Sequence, residues 1–174
     1  MQSLAESPDG RLWISTVRGI HVLEGDSLRW FRRFPTAFNG AAVQAIPGGV
    51  VLAISDSLLL MRGSTTTTVN LPHRPGSEIM SIGASAGGDI WVGGRDSMLY
   101  HIRGARLVWR GVIPDRAISI DFDHDGTLWI SGEYSLVRLS PERPESPVRY
   151  SETHLLPRLI AGPAFVDREG NLWQ

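Results

Sequence analysis

The stretch Asp125-Gly126-Thr127-Leu128-Trp129-Ile130-Ser131 decides how this chain folds. An Asp-Gly pair, which is a strong hairpin signal, leads directly into an apolar run centred on a tryptophan. The same motif recurs at residues 9–15, 87–93 and 169–173, and a degenerate copy at residues 48–54 has Leu52 in place of the tryptophan. Self-similarity at a nearly fixed period predicts an architecture built from one recurring unit.

Two positions of the motif are constant, a turn glycine and an anchor residue three places after it. The anchors fall at residues 13, 52, 91, 129 and 173, so successive anchors are 38 to 44 residues apart. Asp-Gly and Gly-Gly pairs predict type I′ turns, in which both central residues have positive φ. We interpret both sets as structural: the tryptophan anchors are Trp13, Trp91, Trp129 and Trp173, and the turn glycines are Gly10, Gly49, Gly88, Gly126 and Gly170.

Each complete repeat contains four short segments with strand character. In the fourth repeat the first segment alternates Ile118, Ile120 and Phe122 with polar residues, which predicts a strand with one polar face. The tryptophan segment is apolar on both faces and therefore belongs inside a stack of sheets. Four antiparallel strands repeated about every 40 residues predict an all-β fold, a β-propeller, whereas a two-sheet sandwich predicts no motif at a fixed spacing.

The repeats predict four four-stranded antiparallel blades and the beginning of a fifth. The blades cover residues 3–33, 41–70, 79–111 and 117–150, and the incomplete fifth covers residues 164–174. Because the fifth repeat stops one residue after its anchor, we expect an open arc of a larger ring of roughly six to eight blades. A single sheet cannot bury both of its faces, so the remaining blades of the same propeller are the expected partners of the terminal faces.

The composition excludes several classes of partner and site. The chain has 174 residues, 42% of them hydrophobic and 20% charged, which is typical of a globular domain. Its formal net charge of −1 gives no general attraction to nucleic acid or to an anionic membrane. The absence of cysteine excludes disulfides and thiolate metal sites. No apolar run approaches the roughly 18 residues of a membrane span, so we expect no membrane insertion of this segment.

The loops between strands hold the candidate ligand-binding residues. Connections between blades and loops after the tryptophan strands are expected on the same face of the ring, and loops on a rigid scaffold commonly carry recognition. Arginine, carboxylate and tyrosine side chains suit polar ligands such as sugars or carboxylates, although a solvated rim would have the same composition. The candidates are His73, Arg74, Arg95, Asp96, Asp115, Arg116, Glu133 and Tyr134.

A second candidate is an acidic series that resembles the opening of a calcium loop. Asp121, Asp123 and Asp125 alternate, and Gly126 takes the sixth position, where such a loop bends sharply. The twelfth position, however, is Gly132 where a calcium loop has a bidentate glutamate, and the other repeats lack the acidic series. Hairpin chemistry explains the pattern better, so we predict no metal and no cofactor.

The sequence motif at residues 7–16 and 123–132 resembles the two-component regulator propeller repeat. The usual motif of that repeat is an aspartate and a glycine followed by Leu-Trp-Ile-Gly-Thr. Gly94 and Gly132 stand where that repeat usually has a threonine. The resemblance implies a seven-bladed ring that serves as the periplasmic or extracytoplasmic sensor of a membrane-bound histidine kinase or hybrid regulator, in a family with several oligosaccharide-responsive members. It also implies that these residues catalyse nothing, that kinase activity lies in other segments, and that any homodimer forms through the parent protein.

Two other functions stay open. Streptogramin lyase-like propellers use similar wording, and they need a histidine base and a magnesium site near the ring axis. The five histidines here have no matching spacing: they are His21, His73, His101, His124 and His154. His21 and His101 hold comparable positions on third strands, which indicates strand faces and not a shared pocket. A passive protein-interaction scaffold is the third alternative.

Overall fold

A computed structural model describes residues 3–34, 42–54, 56–72, 77–154 and 162–173. These residues form four four-stranded antiparallel sheets and one two-stranded sheet, each made of strands consecutive in the chain. We call the sheets blades 1 to 5. Blade 1 contains β1 (Ser3–Glu6), β2 (Leu12–Thr16), β3 (Gly19–Glu24) and β4 (Ser27–Arg33); blade 2 contains β5 (Ala42–Ile46), β6 (Gly49–Ile54), β7 (Ser57–Arg62) and β8 (Thr65–Asn70).

The remaining strands continue the same order. Blade 3 contains β9 (Ile79–Ala84), β10 (Ile90–Gly94), β11 (Met98–Arg103) and β12 (Arg106–Val112); blade 4 contains β13 (Ser119–Phe122), β14 (Leu128–Ser131), β15 (Leu136–Leu139) and β16 (Val148–Tyr150). Blade 5 has only β17 (Phe165–Val166) and β18 (Leu172–Trp173). The helix found in the described ranges is one 3-10 turn at Glu152–His154, and no helix there is long and apolar enough to cross a membrane.

The first strands of successive blades contact one another and so line the inside of the assembly. β1 contacts β5, β5 contacts β9, β9 contacts β13, and β13 contacts β17. Each sheet then extends outward from its first strand to its fourth. The sheets do not close into a ring, and the prediction of an all-β propeller arc of four-stranded antiparallel blades is confirmed.

The hairpin turns before the tryptophan strands differ from the type I′ geometry that the sequence predicts. In blade 1, Gly10 N donates to Ser7 O at 2.9 Å, and Ser7 N donates to Arg11 O at 2.9 Å. This is a three-residue loop, a type I turn closed by one residue in the left-handed region. Only the glycine has positive φ, 79° at Gly10. The same pair of bonds recurs in blades 3, 4 and 5, so the type I′ prediction is wrong.

In blade 2 the turn glycine and the anchor each lie one residue earlier than the sequence predicts. Its turn is the two-residue Pro47-Gly48 loop between paired Ile46 and Gly49, and the glycine with positive φ is Gly48, at 75°. Three residues later stands Val51, and not Leu52, as the structural equivalent of the tryptophans. Gly49, the predicted turn glycine, lies in β6, where a Cβ would overlap the Met61 carbonyl oxygen. A shift of one residue places a side chain on the opposite face of its strand.

The hydrophobic core lies between blades. Trp13 packs with Val50 and Leu52 of blade 2, and Trp91 packs with Leu128 and Ile130 of blade 4. In the interface between blades 2 and 3, Val51 takes the place of the tryptophan. Each interface thus joins the anchor face of one blade to the opposite face of the next, as the repeat requires.

Burial of the anchors falls along the arc. The exposed fraction is 2% for Trp13 and 0% for Trp91, whereas Trp129 is half-buried and Trp173 is 52% exposed. The predicted core role therefore fits the first two tryptophans fully. It fits Trp173 poorly, because no described strand lies beyond β18 to cover its ring.

A hydrogen bond ties each of three tryptophans to its own turn. Trp13 Nε1 donates to Ser7 Oγ at 3.0 Å, and Trp129 Nε1 donates to Asp123 Oδ2 at 3.1 Å. Trp173 Nε1 donates to Asp167 Oδ2 at 2.6 Å, and this bond is the main cause that lowers the pKa of Asp167 to about 2. In every case the acceptor is the first residue of the turn, six positions before the tryptophan. The motif is therefore a closed unit of turn, strand and indole.

A set of inner-strand serines, which sequence analysis missed, links neighbouring blades. Ser3 Oγ accepts from Val43 N at 2.8 Å, Ser81 Oγ donates to Ala117 O at 3.0 Å, and Ser119 Oγ accepts from Ala164 N at 2.9 Å. All three serines stand ten positions before a tryptophan anchor. That shared position is the signal that could have identified them.

Replacing Trp91 with alanine tests the core role of the anchor. Since Trp91 is fully buried between two blades, we expect the free energy of unfolding to fall by about 3 to 5 kcal/mol. The matched control is Trp173→Ala, which should cost about 1 kcal/mol or less because its ring is half exposed. Urea unfolding followed by circular dichroism measures both. Equal losses in the two variants would contradict this assignment of the core.

Candidate functional site

The candidate residues of blade 4 meet at one point on the loop side of the arc. Asp115 and Arg116 lie in the connection between β12 and β13, and Glu133 and Tyr134 lie in the loop between β14 and β15. Asp115 Oδ2 accepts from the backbone N–H of Tyr134 at 2.7 Å and from Ser135 Oγ at 3.1 Å. The carboxylate therefore fixes the second segment against the first, as the sequence predicts for loops that share a face.

A salt bridge completes this contact. The Arg116 guanidinium pairs with Glu133 Oε2, with 35% of the arginine side chain and 26% of the glutamate side chain exposed. Tyr134 Oη donates to Glu133 Oε1 at 3.1 Å, and the hydrogen bond and negative charge of Glu133 raise the pKa of the Tyr134 phenol. Tyr134 is 52% exposed, so its ring stands on the surface above the ion pair.

Blade 3 carries a similar arrangement with the charges exchanged. Arg95, in the loop between β10 and β11, donates its backbone N–H to Glu78 O at 2.9 Å, and its guanidinium lies 3.6 Å from the Glu78 carboxylate. Glu78 and Arg116 both stand 13 residues before their tryptophan anchors, and Arg95 and Glu133 both stand four residues after them. The two blades thus place an ion pair at equivalent positions with opposite polarity.

Glu78 is the residue of this site that sequence reasoning missed. The signal was present, because comparing charges at equivalent positions of the third and fourth repeats pairs Glu78 with Arg95 and Arg116 with Glu133. The repeat itself is recognised from its glycines and apolar residues, which carry no information about these charged positions. We call these four residues the loop-face pairs.

The other candidate residues behave differently. Asp96 Oδ1 accepts from Met98 N at 3.2 Å, which shapes its own loop, and Asp96 Oδ2 is buried with no hydrogen-bond partner in the described ranges. Arg116 Nε is buried and unpartnered in the same sense. His73 and Arg74 lie outside the described residues. Their assignment to a ligand site stays a prediction, as does that of the six described candidates.

The acidic series of blade 4 serves the backbone. Asp123 Oδ1 accepts from Asp125 N at 3.0 Å and from Thr127 N at 2.9 Å, while Asp121 Oδ2 accepts from Val166 N of blade 5 at 2.7 Å. Within the ranges that the structure describes, no group of three or more histidine, cysteine or acidic side chains is placed to hold a metal ion. Asp123 therefore closes its hairpin, whereas Asp121 joins blade 4 to blade 5.

The described histidines lie apart from one another. The ring of His21 lies 3.9 Å from that of Trp30, and the ring of His101 stacks on Trp91 at 4.2 Å. His124 lies in a turn, with Nε2 2.8 Å from Arg168 O. His21 and His101 also differ by one register position, since His21 is opposite Ile14 and His101 is opposite Trp91. They therefore face opposite sides of their blades, so their predicted equivalence is only approximate.

A cleft with a volume of about 490 Å³ follows the inner strands. Leu4, Gln44, Met80, Asp121 and Phe165 contribute to its wall, which places it on the axial side of the arc. None of the six described candidate residues lines this cleft. The loop-face pairs therefore form a surface patch and not the wall of this cavity.

No protein-family model matches the sequence, and no curated protein matches it. The structure is similar to the virginiamycin B lyase from Staphylococcus aureus, with a TM-score of 0.76 and 16% identity over 99% of this chain and 61% of the lyase. It is also similar to the extracellular domain of a protein from B. thetaiotaomicron described as a hybrid two-component system, with a TM-score of 0.75 and 15% identity over 98% of this chain and 25% of that one.

A third similar structure is the WD40 domain of Pan2 from Neurospora crassa, with a TM-score of 0.67 and 16% identity over 86% of this chain and 49% of that chain. The chain spans about three-fifths of the length of the lyases and a quarter of the two-component protein. A lyase, the extracellular domain of a two-component protein and a WD40 domain share this architecture, so the likeness establishes a β-propeller fold and leaves its activity open.

Exchanging the charges of one loop-face pair tests the equivalence of the two blades. Arg116→Glu alone places two carboxylates together and should cost about 1 kcal/mol or more of unfolding free energy. The double variant Arg116→Glu/Glu133→Arg recreates the polarity of Glu78 and Arg95, so it should recover at least about half of that loss. Urea unfolding of the single and double variants measures the coupling. A double variant no more stable than the sum of the single changes would refute the pairing.

Buried His101 predicts a pH dependence of stability. Burial is the main cause that lowers its pKa, partly offset by Asp89, whose Oδ2 lies 3.2 Å from Nε2 but in poor alignment for a hydrogen bond. The unfolded chain therefore takes up a proton at higher pH than the folded chain, and stability falls as the pH drops below about 6.5. His101→Phe keeps the ring stack without titrating, so between about pH 7.5 and 5.5 its stability should fall less than that of the wild type. The same fall in both proteins would show that His101 is not the cause.

Proposed function

We propose that this chain is a non-catalytic part of the extracytoplasmic sensor propeller of a two-component regulatory protein, and that its loop face binds a polar ligand. The observation that carries the proposal is the repeated loop-face pair, with Glu78–Arg95 on blade 3 and Arg116–Glu133 on blade 4. Two adjacent blades thereby present alternating charges on a scaffold whose strands are fixed by the core. The repeat wording and the similar fold of a two-component extracellular domain support the sensor assignment.

The chemistry of the patch favours a ligand with many hydroxyl groups. Carboxylates accept hydrogen bonds and guanidinium groups donate them, so a hydroxyl, which does both, can bridge either member of a pair. The exposed ring of Tyr134 offers a flat apolar surface beside these groups. An oligosaccharide, with hydroxyl edges and apolar ring faces, is the ligand class that fits best.

The alternative of a lyase-type enzyme has less support. The described histidines lie on separate strands and turns, and no group of three or more histidine or acidic side chains in the described ranges is placed to hold a metal ion. A passive scaffold would use the same loops through protein contacts. We place the ligand function first because half-buried ion pairs hold an ordered polar surface, which suits recognition of a specific small molecule.

The test is direct binding to the full-length polypeptide that contains these residues. Neutral and acidic oligosaccharides are screened on a glycan array, and any hit is measured by isothermal titration calorimetry. We expect Tyr134→Ala to weaken binding at least about tenfold, because it removes the exposed ring and its bond to Glu133. The matched control is Trp30→Ala, which removes an aromatic ring that is 42% exposed on the outer strand of blade 1 and should bind normally.

Three outcomes count against the proposal. Binding that Tyr134→Ala leaves unchanged would move the ligand away from the loop face. Hydrolytic or eliminative conversion of a streptogramin B antibiotic by the full-length polypeptide would establish the lyase alternative. The absence of any bound oligosaccharide, together with capture of a defined protein through Tyr134 and Arg116, would establish the scaffold.

A further inference from the structure

Three of the four outermost strands of the complete blades carry charged side chains, and all of these charges are positive. β4, β8, β12 and β16 contain six arginines and no aspartate or glutamate. All six arginines are exposed, and none forms an ion pair with a described residue: they are Arg29, Arg32, Arg33, Arg106, Arg110 and Arg149. In a chain with a net charge of −1, this rim is a local excess of positive charge.

Blade 1 concentrates this feature in one strand. Every residue of β4 is exposed, and three of its seven residues are arginines. The same strand exposes three large apolar side chains, Leu28 at 58%, Trp30 at 42% and Phe31 at 39%. Arginine, tryptophan and phenylalanine are the residues enriched in the centres of protein interfaces.

The aromatic side chains of β4 are held in place. The centres of the Trp30 and His21 rings are 3.9 Å apart. The Arg33 guanidinium also lies over the Trp30 ring, 4.6 Å from its centre. Phe31 packs edge to face on Trp13, with 5.1 Å between ring centres. Side chains already ordered by neighbours lose less entropy when a partner binds.

The geometry selects a partner that approaches the strand edge. Arg29 and Arg32 stand opposite Val22 and Ile20, which are buried against blade 2, whereas Leu28 and Trp30 stand opposite Leu23 and His21 on the other face. Among the described strands β4 pairs only with β3, so its outer edge has no strand partner within the described residues. Leu28 and Trp30 lie on the terminal face, where the remaining blades are expected, so a partner reaches Arg29 and Arg32 along the strand edge, as an added strand does.

We propose that the edge of β4 binds an acidic, extended peptide segment of another protein as an additional β-strand. Backbone pairing would extend over Ser27 to Trp30, before the bulge that shifts the register between Ile20 and His21. Carboxylates of the segment would meet Arg29 and Arg32, which lie on one face of the strand. A second copy of this chain fits poorly, because it would bring arginine against arginine, a device that keeps exposed edges apart.

This proposal is independent of the ligand site on the loop face. The probe is a fluorescent peptide of about eight residues that alternates glutamate with valine, a length typical of one strand. Fluorescence anisotropy with the full-length polypeptide measures binding at low ionic strength and in about 0.15 M salt, where exposed charges are screened beyond about 8 Å. We expect saturable binding that weakens with salt, and no binding of the matched lysine-valine peptide.

Variants locate the surface. Arg29→Gln/Arg32→Gln/Arg33→Gln should weaken binding at least about tenfold. The matched control, Arg106→Gln/Arg110→Gln/Arg149→Gln, removes the same number of exposed charges from other outer strands and should change binding by no more than about twofold. Replacing the three β4 arginines with glutamate should transfer binding to the lysine-valine peptide.

A backbone-modified peptide separates strand addition from charge attraction. N-methylation of alternate residues in the glutamate-valine peptide keeps its charges and removes backbone N–H donors. Methylation of the residues whose N–H groups point toward β4 should therefore abolish binding. Binding unaffected by methylation of either alternate set would overturn the proposal. Heparin or vesicles with anionic lipid that bind as tightly as the peptide, through the same arginines, would also overturn it and would indicate a general polyanion surface. No binding of the peptide at all would overturn it as well.

Discussion

The structure depends on one constraint: the second strand of each blade must be covered on both faces by neighbouring blades. Trp91 satisfies this constraint completely, with no exposed surface and with Leu128 and Ile130 of the next blade against it. The indole bonds of Trp13 and Trp129 extend the same constraint to the turns, since each ring nitrogen holds the first residue of its hairpin. Because the interfaces repeat this packing, with Val51 in place of a tryptophan between blades 2 and 3, blade spacing follows, and the scaffold places the loops at the ends of the strands.

Because the core lies between the blades, the surface residues of the loops and outer strands can vary from blade to blade. The strands of blades 3 and 4 carry nearly the same apolar pattern, yet their loop-face pairs have opposite polarity. An ion pair joins two loops equally well in either direction, so the scaffold tolerates the exchange while the surface offered to a ligand changes. The outer strands vary in another way. The charged residues of these strands are all arginines, and in blade 1 they lie beside ordered aromatic rings.

The fold was readable from the sequence because its determinants are periodic. Turn glycines and tryptophans recur at a nearly constant spacing, and the four-stranded antiparallel blades that this spacing predicts are present in the structure. The second repeat was read one residue out of register because Gly48 and Gly49 are chemically identical in sequence, and only backbone φ distinguishes the turn residue from the strand residue. The loop-face partners were harder to predict. Glu78 and Arg95 are 17 positions apart and pair through loops whose course no apolar pattern encodes.

The central claim is that stability resides in second strands packed between blades, and that loops and outer strands are free for recognition. Amide hydrogen exchange of the full-length polypeptide, resolved by peptide, tests it most directly. We predict the slowest exchange in β10, which is buried along its whole length, and faster exchange in the exposed outer strands β4 and β12. Protection of β4 and β12 equal to that of β10, with no partner present, would contradict the account.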